Sequence, residues 1–334
     1  MIEVCQNITK IFRTEDGDLN LEKKPLIILT GPTAAGKTAL SIALAKACNG
    51  EIISADSMQV YRYMDIGTAK IKPEEMQGVP HYLIDEYEPE DAFNVVEFQK
   101  RAKACIDDIT ARNKVPVIVG GTGFYIQSVL YNIQFEDAEE DLSYRHELEV
   151  LAEAEGPQKL HQMLEQVDAE AARQIHYNNV KKVIRALEYH VQTGGKISEH
   201  NEEQRQNTSP YNFAYFVLTM DRQKLYTRIE KRIDQMLEEG LVDEVCGLMA
   251  KGYTRDMVSM QGLGYKEIID YLQGNMTLEC AVDILKRDTR HFAKRQLTWF
   301  RREKEVIWVD KDTYDNEQQI LEYMMRILQE KNIL

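Results

Sequence analysis

Two rhythms of apolar residues alternate along the first 135 positions. Short strand-like segments occupy residues 25–30, 51–56 and 115–119, the second ending on the polar or small Ser54, Ala55 and Asp56, and predict buried strands. Between them the spacing changes to every third or fourth position. Residues 39–48 keep a helical rhythm that stops at Asn49 and Gly50. Residues 95–109 repeat it, with Val96, Phe98, Ala102, Cys105 and Ile109 as the predicted inner face. Tyr82, Leu83, Ile84 and Asp85 make a weaker strand candidate. Strands alternating with helices predict an α/β fold built on a doubly wound parallel sheet. Residues 1–24 are polar apart from an apolar patch at 8–12, and read as a hairpin strand or a loose arm.

At about residue 136 the strand-like runs disappear, and helical spacing holds to about residue 206. Leu148, Val150 and Leu151, then Leu160, Met163, Leu164 and Val167, trace amphipathic faces. Residues 178–192 form a further helix, stopped by Thr193, Gly194 and Gly195, with Lys181, Lys182 and Arg185 beside Val183, Ile184 and Leu187. Residues 136–206 therefore read as a helical insertion in a core made of residues 1–135 and 207–334. Residues 213–219 return to strand character and should rejoin the sheet. A helix over 221–239 opens on Asp221 and ends at Gly240. A glycine-containing turn at 260–267 opens the next one. The helix over 278–302 has two faces: Leu285, Phe292, Trp299 and Phe300 on one, and a stripe of Arg287, Arg290, Lys294 and Arg301 without an interleaved acid on the other. A last strand at 306–309 and a closing helix complete the chain.

Composition narrows the class. The 334 residues are 43% hydrophobic and 29% charged, the profile of an ordinary globular protein. No apolar run reaches membrane-spanning length, and no secretory signal is visible. The five cysteines are scattered without a Cys-x-x-Cys pair, so reduced thiols, no zinc site and a cytoplasmic location are expected. Nothing demands an oligomer, and a monomer is expected. The net charge of −14, taken alone, argues against a nucleic-acid partner. Its distribution argues otherwise. Residues 286–304 carry eight Lys or Arg against two acids, whereas residues 136–149 carry seven acids against Arg145. A basic face on an acidic body can select a polyanion.

The sharpest chemical signal lies between the first strand and the first helix. Gly31, Pro32, Thr33, Ala34, Ala35, Gly36, Lys37 and Thr38 satisfy the phosphate-loop pattern in full. Glycines let the backbone wrap an anion, helix-start N–H groups face its oxygens, Lys37 adds a charge, and the Thr38 hydroxyl can hold Mg2+. Asp56, at the end of the second strand, should lie beside that anion, because ligands of parallel sheets sit beyond the strands' carboxyl ends. A second glycine-rich turn, from Gly120 to Tyr125, falls at the same edge.

Two chemistries fit this arrangement. A kinase or NTPase would transfer or hydrolyse a terminal phosphate, and it needs an apolar strand ending in Asp for magnesium. The strongest apolar strand ends in Gly120, Gly121 and Thr122 instead, and Ile84-Asp85 is a weak substitute. The alternative is a diphosphate held as a leaving group while an acceptor attacks the carbon that bears it. A scaffold with an inert loop is disfavoured by intact Lys37 and Thr38.

Several motifs then resemble one family. The phosphate loop, the runs 54–61 and 64–70, Gly120 to Tyr125, Asp221-Arg222 with Arg228-Ile229, 260–267 and 294–301 look like those of the tRNA dimethylallyltransferases, in family order from residue 25 to about 310. Ala35 stands where serine is frequent. The absence of an appended zinc finger suits the bacterial type. The resemblance implies a P-loop NTPase-like fold. It also implies transfer of a dimethylallyl group from dimethylallyl diphosphate to N6 of the adenine 3′-adjacent to the anticodon. Loop residues 31–38 would then hold the diphosphate, and Asp56 would be the general base. Thr33, Lys37 and Arg222 would act on the leaving group. Ser57, Met58 and Gln59 would read the target base. Thr122, Arg145 and the segment Val180, Lys181, Lys182, Val183, Ile184 would contact tRNA, with the insertion gripping the anticodon stem-loop. The stripe of Arg287, Arg290, Lys294 and Arg301 gains the same partner.

Overall fold

A computed structural model describes residues 12–13, 19–20, 23–135 and 142–334. Most of the N-terminal apolar patch and the acidic start of the 136–149 run lie outside the described residues. Strands β1 (Phe12–Arg13) and β2 (Leu19–Asn20) form a small antiparallel pair. The predicted α/β alternation follows: β3 (Lys24–Thr30), α1 (Lys37–Ala47), β4 (Gly50–Ala55), β5 (His81–Tyr82), α2 (Val95–Ala111), β6 (Val115–Gly120) and α3 (Gly123–Leu130). β5 stops earlier than the sequence pattern suggested. Leu83 and Asp85 take positive φ values of 62° and 56°, a left-handed conformation that no strand sustains. The Asn94 side chain caps α2 by accepting the N–H groups of Val96 and Glu97. That helix buries Phe98, Ala102, Ile106 and Ile109, while Val96 is 42% exposed. Its inner face is therefore rotated from the predicted one, with Ile106 replacing Val96 and Cys105.

Residues Tyr131–Ser209 form a compact unit of their own. It comprises α4 (Leu142–Glu155), α5 (Pro157–Val167), α6 (Ala169–Gln174), α7 (Val180–Thr193) and α8 (Ile197–Arg205). Its core gathers Leu148, Leu160, Leu164, Ala171, Val183, Ile184 and Leu187. Val150 is 49% exposed, outside the face assigned to it from spacing. Buried Asp168 accepts from the Ala171 N–H at 2.9 Å and from the Ser198 hydroxyl at 2.7 Å, tying α6 to α8.

The other unit resumes with β7 (Tyr211–Thr219), α9 (Arg222–Glu238), α10 (Leu241–Ala250), α11 (Tyr265–Leu272), α12 (Leu278–Phe300), β8 (Val306–Asp310) and α13 (Glu317–Glu330). Its six strands run in the order β5-β4-β6-β3-β7-β8, every pair parallel. Side chains alternate across the sheet. Ile27, Leu29, Val117, Phe216 and Leu218 meet Leu40 and Leu44 of α1 and Ile320, Met324 and Leu328 of α13 in one core. Each such side chain contributes roughly 1.5–3 kcal/mol when buried. All strands end at one edge, so the loops that follow β3, β4 and β6 open side by side.

Candidate active site

The loop after β3 is shaped by neighbours that leave no room for side chains. Gly31 has φ 148°, and a Cβ there would sit 2.7 Å from the Leu218 carbonyl oxygen. Gly36 has φ 84°, and a Cβ there would meet the Lys311 ammonium at 2.9 Å. Buried Ala35 joins the apolar core beneath. The Lys37 ammonium donates to the carbonyls of Gly31 at 3.0 Å and Pro32 at 2.9 Å. Burial, and after it the nearby Arg232 charge, lowers its pKa to about 8, with Asp56 opposing the shift. Arg228 Nε donates to the Ala34 carbonyl at 2.9 Å. Thr38 stands exposed at the start of α1.

The neighbouring loops are locked to this one. In register, Thr30 pairs with Gly120 and Gly120 with Ala55, so Gly31, Gly121 and Asp56 begin adjacent loops. The Thr30 hydroxyl donates to the Gly120 carbonyl at 2.7 Å. Buried Gln296 of α12 bridges two of the loops: its Oε1 accepts the Thr33 N–H at 2.9 Å and its Nε2 donates to the Gly121 carbonyl at 3.0 Å. The Thr122 N–H donates to the Ala55 carbonyl at 3.2 Å, which brings Thr122 beside Asp56. Asp56 Oδ1 accepts the Met58 N–H at 2.9 Å, turning the chain into Ser57, Met58 and Gln59. The structure thus brings together residues 31–38, Asp56 to Gln59 and Thr122.

The remaining sequence candidates are placed differently. Arg222, in the first turn of α9, donates to the Tyr226 hydroxyl at 3.1 Å and lies over that ring. Arg228, almost two turns on, touches the loop instead, and Lys311 stands beside its Gly36. Arg145 forks onto buried Glu188 at 2.8 and 3.0 Å. In α7, Lys181 and Lys182 are exposed, whereas Val183 and Ile184 are buried in the helical unit's core. The α12 stripe is not free of acids, as its sequence suggested: Asp288 accepts from Arg287 at 2.9 Å, and Glu230 of α9 accepts from Arg290 at 2.6 Å. Lys294 and Arg301 are exposed, with no acidic partner among the described residues. Lys294 also lines a shallow groove of about 380 Å³ with His291, Arg295, Thr298, Trp299 and Arg302.

Sequence reasoning missed Gln296 and Arg228 as site residues. Gln296 had a usable signal, a polar residue on the same helical side as Leu285, Phe292 and Phe300.

A parallel sheet whose carboxyl edge carries an anion-wrapping loop, a half-buried lysine and an adjacent carboxylate defines a phosphate-loop enzyme. Comparison with known proteins narrows the class. The family model described as IPP transferase matches residues 59–303. The chain is 62% identical over 311 residues to a tRNA dimethylallyltransferase of Lachnoclostridium phytofermentans, spanning 93% of this chain and 99% of that protein. The crystal structure of the full-length tRNA isopentenylpyrophosphate transferase from Bacillus halodurans aligns with a TM-score of 0.69 at 48% identity, covering 93% of this chain and 98% of that one. A eukaryotic dimethylallyltransferase captured acting on tRNA aligns with a TM-score of 0.77 at 29% identity, covering 91% and 78%. The chain belongs to the IPP transferase family.

Proposed function

We infer that the chain is a tRNA dimethylallyltransferase that moves a dimethylallyl group from its diphosphate ester to N6 of the adenine next to the anticodon on its 3′ side. The carrying observation is the juxtaposition of an anion-wrapping loop and its half-buried Lys37 with Asp56, two strands away on the same sheet edge. In the reaction the N6–carbon bond forms as the carbon–oxygen bond to diphosphate breaks. The electron pair leaves on the diphosphate, and the N6 proton passes to Asp56. An exocyclic amine is a weak nucleophile because its lone pair is delocalised, so a carboxylate that removes the proton as the bond forms lowers the barrier. Lys37 and the loop N–H groups stabilise the charge collecting on the leaving group. Arg222 would join them once its side chain leaves Tyr226.

Magnesium fits this site as a partner of the diphosphate. Among the described residues no cluster of three or more His, Cys, Asp or Glu could hold a metal alone. The Thr38 hydroxyl with diphosphate oxygens suits an ion that keeps several waters. Bound there, it would neutralise part of the leaving group's charge.

The target base must leave its stack to reach Asp56, and bases of a single-stranded loop are the cheapest to extract. Lys181 and Lys182 of the helical unit and Lys294 and Arg301 of α12 supply exposed charge for the phosphates of the anticodon stem-loop. We take the enzyme to work as a monomer in the cytoplasm; among the described residues no helix is long and apolar enough to cross a membrane. The test is mass analysis of nucleosides from tRNA incubated with the protein and dimethylallyl diphosphate. An adenosine heavier by one dimethylallyl group is expected, only when both substrates are present. ATP consumption without that product would favour a kinase and overturn the reading.

A further inference from the structure

The turn at Asp65, Ile66 and Gly67 has no regular secondary structure, yet three successive backbone N–H groups in it donate to one carboxylate. Glu244, near the start of α10, accepts through Oε2 from Asp65 at 2.9 Å and Ile66 at 2.6 Å, and through Oε1 from Gly67 at 3.1 Å. The Tyr265 hydroxyl donates to the same Oε1 at 2.7 Å. Four donors fill the four lone-pair positions that a carboxylate offers. The Tyr265 ring, buried, lies flat enough on Gly67 that a Cβ there would come within 2.6 Å of it. Carboxylate and ring together fix both the height and the angle of the turn.

The far rim of the turn holds the segment beside Asp56. The carbonyls of Thr68 and Ala69 accept the Gln59 Nε2 group at 3.2 and 3.4 Å. Two carbonyl oxygens can be met only by the amino end of that amide, so the Gln59 side-chain oxygen faces away from them as an acceptor. The Met58 methyl lies where a Cβ of Gly262 would stand, 2.7 Å from it, and the Gly262 carbonyl accepts the Tyr265 N–H at 3.2 Å. Met58 and Gln59 are thus braced from both sides by the assembly that Glu244 and Tyr265 anchor. Among the described residues, no hydrogen bond joins Met58, Gln59, Glu244 or Tyr265 to the phosphate loop.

We propose that Glu244, with Tyr265, is a positioning residue that sets Met58 and Gln59 at the right height and orientation to receive the acceptor base over Asp56. The inference rests on the transferase reading above. A misplacement of about 1 Å at a reacting centre costs on the order of 10²-fold in rate.

The experiment compares full-length wild type with Glu244→Ala, Glu244→Gln and Tyr265→Phe. It measures prenyl transfer at varied tRNA and, separately, binding of inorganic diphosphate by calorimetry. Glu244→Ala is expected to lower kcat/KM for tRNA by about 10²-fold, with diphosphate affinity within about twofold of wild type. Glu244→Gln, which keeps one acceptor oxygen, and Tyr265→Phe, which removes one donor, should fall between. A Glu244→Ala enzyme with kcat/KM for tRNA within about threefold of wild type overturns the proposal. So does a loss of diphosphate binding in step with turnover, because the carboxylate would then hold the whole fold. Wild-type protein that binds diphosphate but transfers nothing to tRNA overturns the transferase reading instead.

Discussion

Lys37 and Arg228 at the phosphate loop and the cations along α12 carry the same charge and are held in different ways. Lys37 and Arg228 donate to main-chain carbonyls of the loop, which position them without neutralising them. On α12, Arg287 and Arg290 are tied to Asp288 and Glu230, while Lys294 and Arg301 stand in solvent. A cation held by neutral oxygens keeps its charge for a small multivalent anion. An exposed cation acts on a polyelectrolyte chiefly through counterion release, and salt weakens it. The first arrangement suits a leaving group whose charge grows during the reaction, and the second suits a stem-loop backbone gripped at many weak points.

The carboxylate at the centre of the loop region provides the largest test. Asp56→Ala should reduce turnover by about 10³-fold while tRNA affinity in filter binding stays within about twofold. Unchanged turnover would reject Asp56 as the base.

Arg145 sharpens the contrast, since it belongs to neither class: its fork is committed to buried Glu188 within the helical unit. Arg145→Ala strands that carboxylate and should cost about 3 kcal/mol of stability in denaturant unfolding. A variant with wild-type stability and weakened tRNA binding would return Arg145 to the tRNA-contact class.

Lys37→Ala should weaken diphosphate binding by about 30-fold, the loss of one charge-assisted contact, with little dependence on salt. The pH dependence has a definite sign. In the free protein, burial holds Lys37 at about 8, and a bound anion raises that value. Affinity is therefore greatest below pH 8 and falls as the pH climbs through it, measurable by calorimetry across pH 7 to 10. A flat profile would show that Lys37 does not face the anion.

The smallest effect is expected on α12. Lys294→Ala should weaken tRNA binding about threefold and reduce the slope of log affinity against log salt by about 0.7–0.9. A salt-independent loss would place Lys294 with the cations held at the phosphate loop and break the comparison.

What could be read in the sequence follows from the range of the forces involved. The loop at 31–38, the strands beside it and most helices are set by spacing within ten or so residues, and they appear where that spacing points. The rotated face of α2 shows the limit, because Val96 and Ile106 differ in which neighbour covers them rather than in periodicity. The limit is sharper for side chains whose partners are distant in the chain. Nothing near Arg290 announces Glu230. Nothing near Asp65 announces that Glu244 will collect three of its turn's N–H groups. Arg145 and Arg222 were legible as cations from the family resemblance, but the partners that hold them, Glu188 and Tyr226, appear only in the folded chain.

The pairing of β3 with β7 has a consequence for the birth of the protein. Ile28 lies beside Tyr215, and the whole helical unit is translated between the two. A gap of roughly 190 residues takes on the order of 10–40 s to translate at the usual rates. Even after β6 has paired with it, the strand bearing the phosphate loop keeps one bare edge, while the helical unit, rich in local contacts, can already close around Leu160, Leu164 and Leu187. The loop is thus made early in synthesis and becomes competent only near its end, so a ribosome stalled before Tyr215 would carry a finished helical unit and an unfinished nucleus for catalysis.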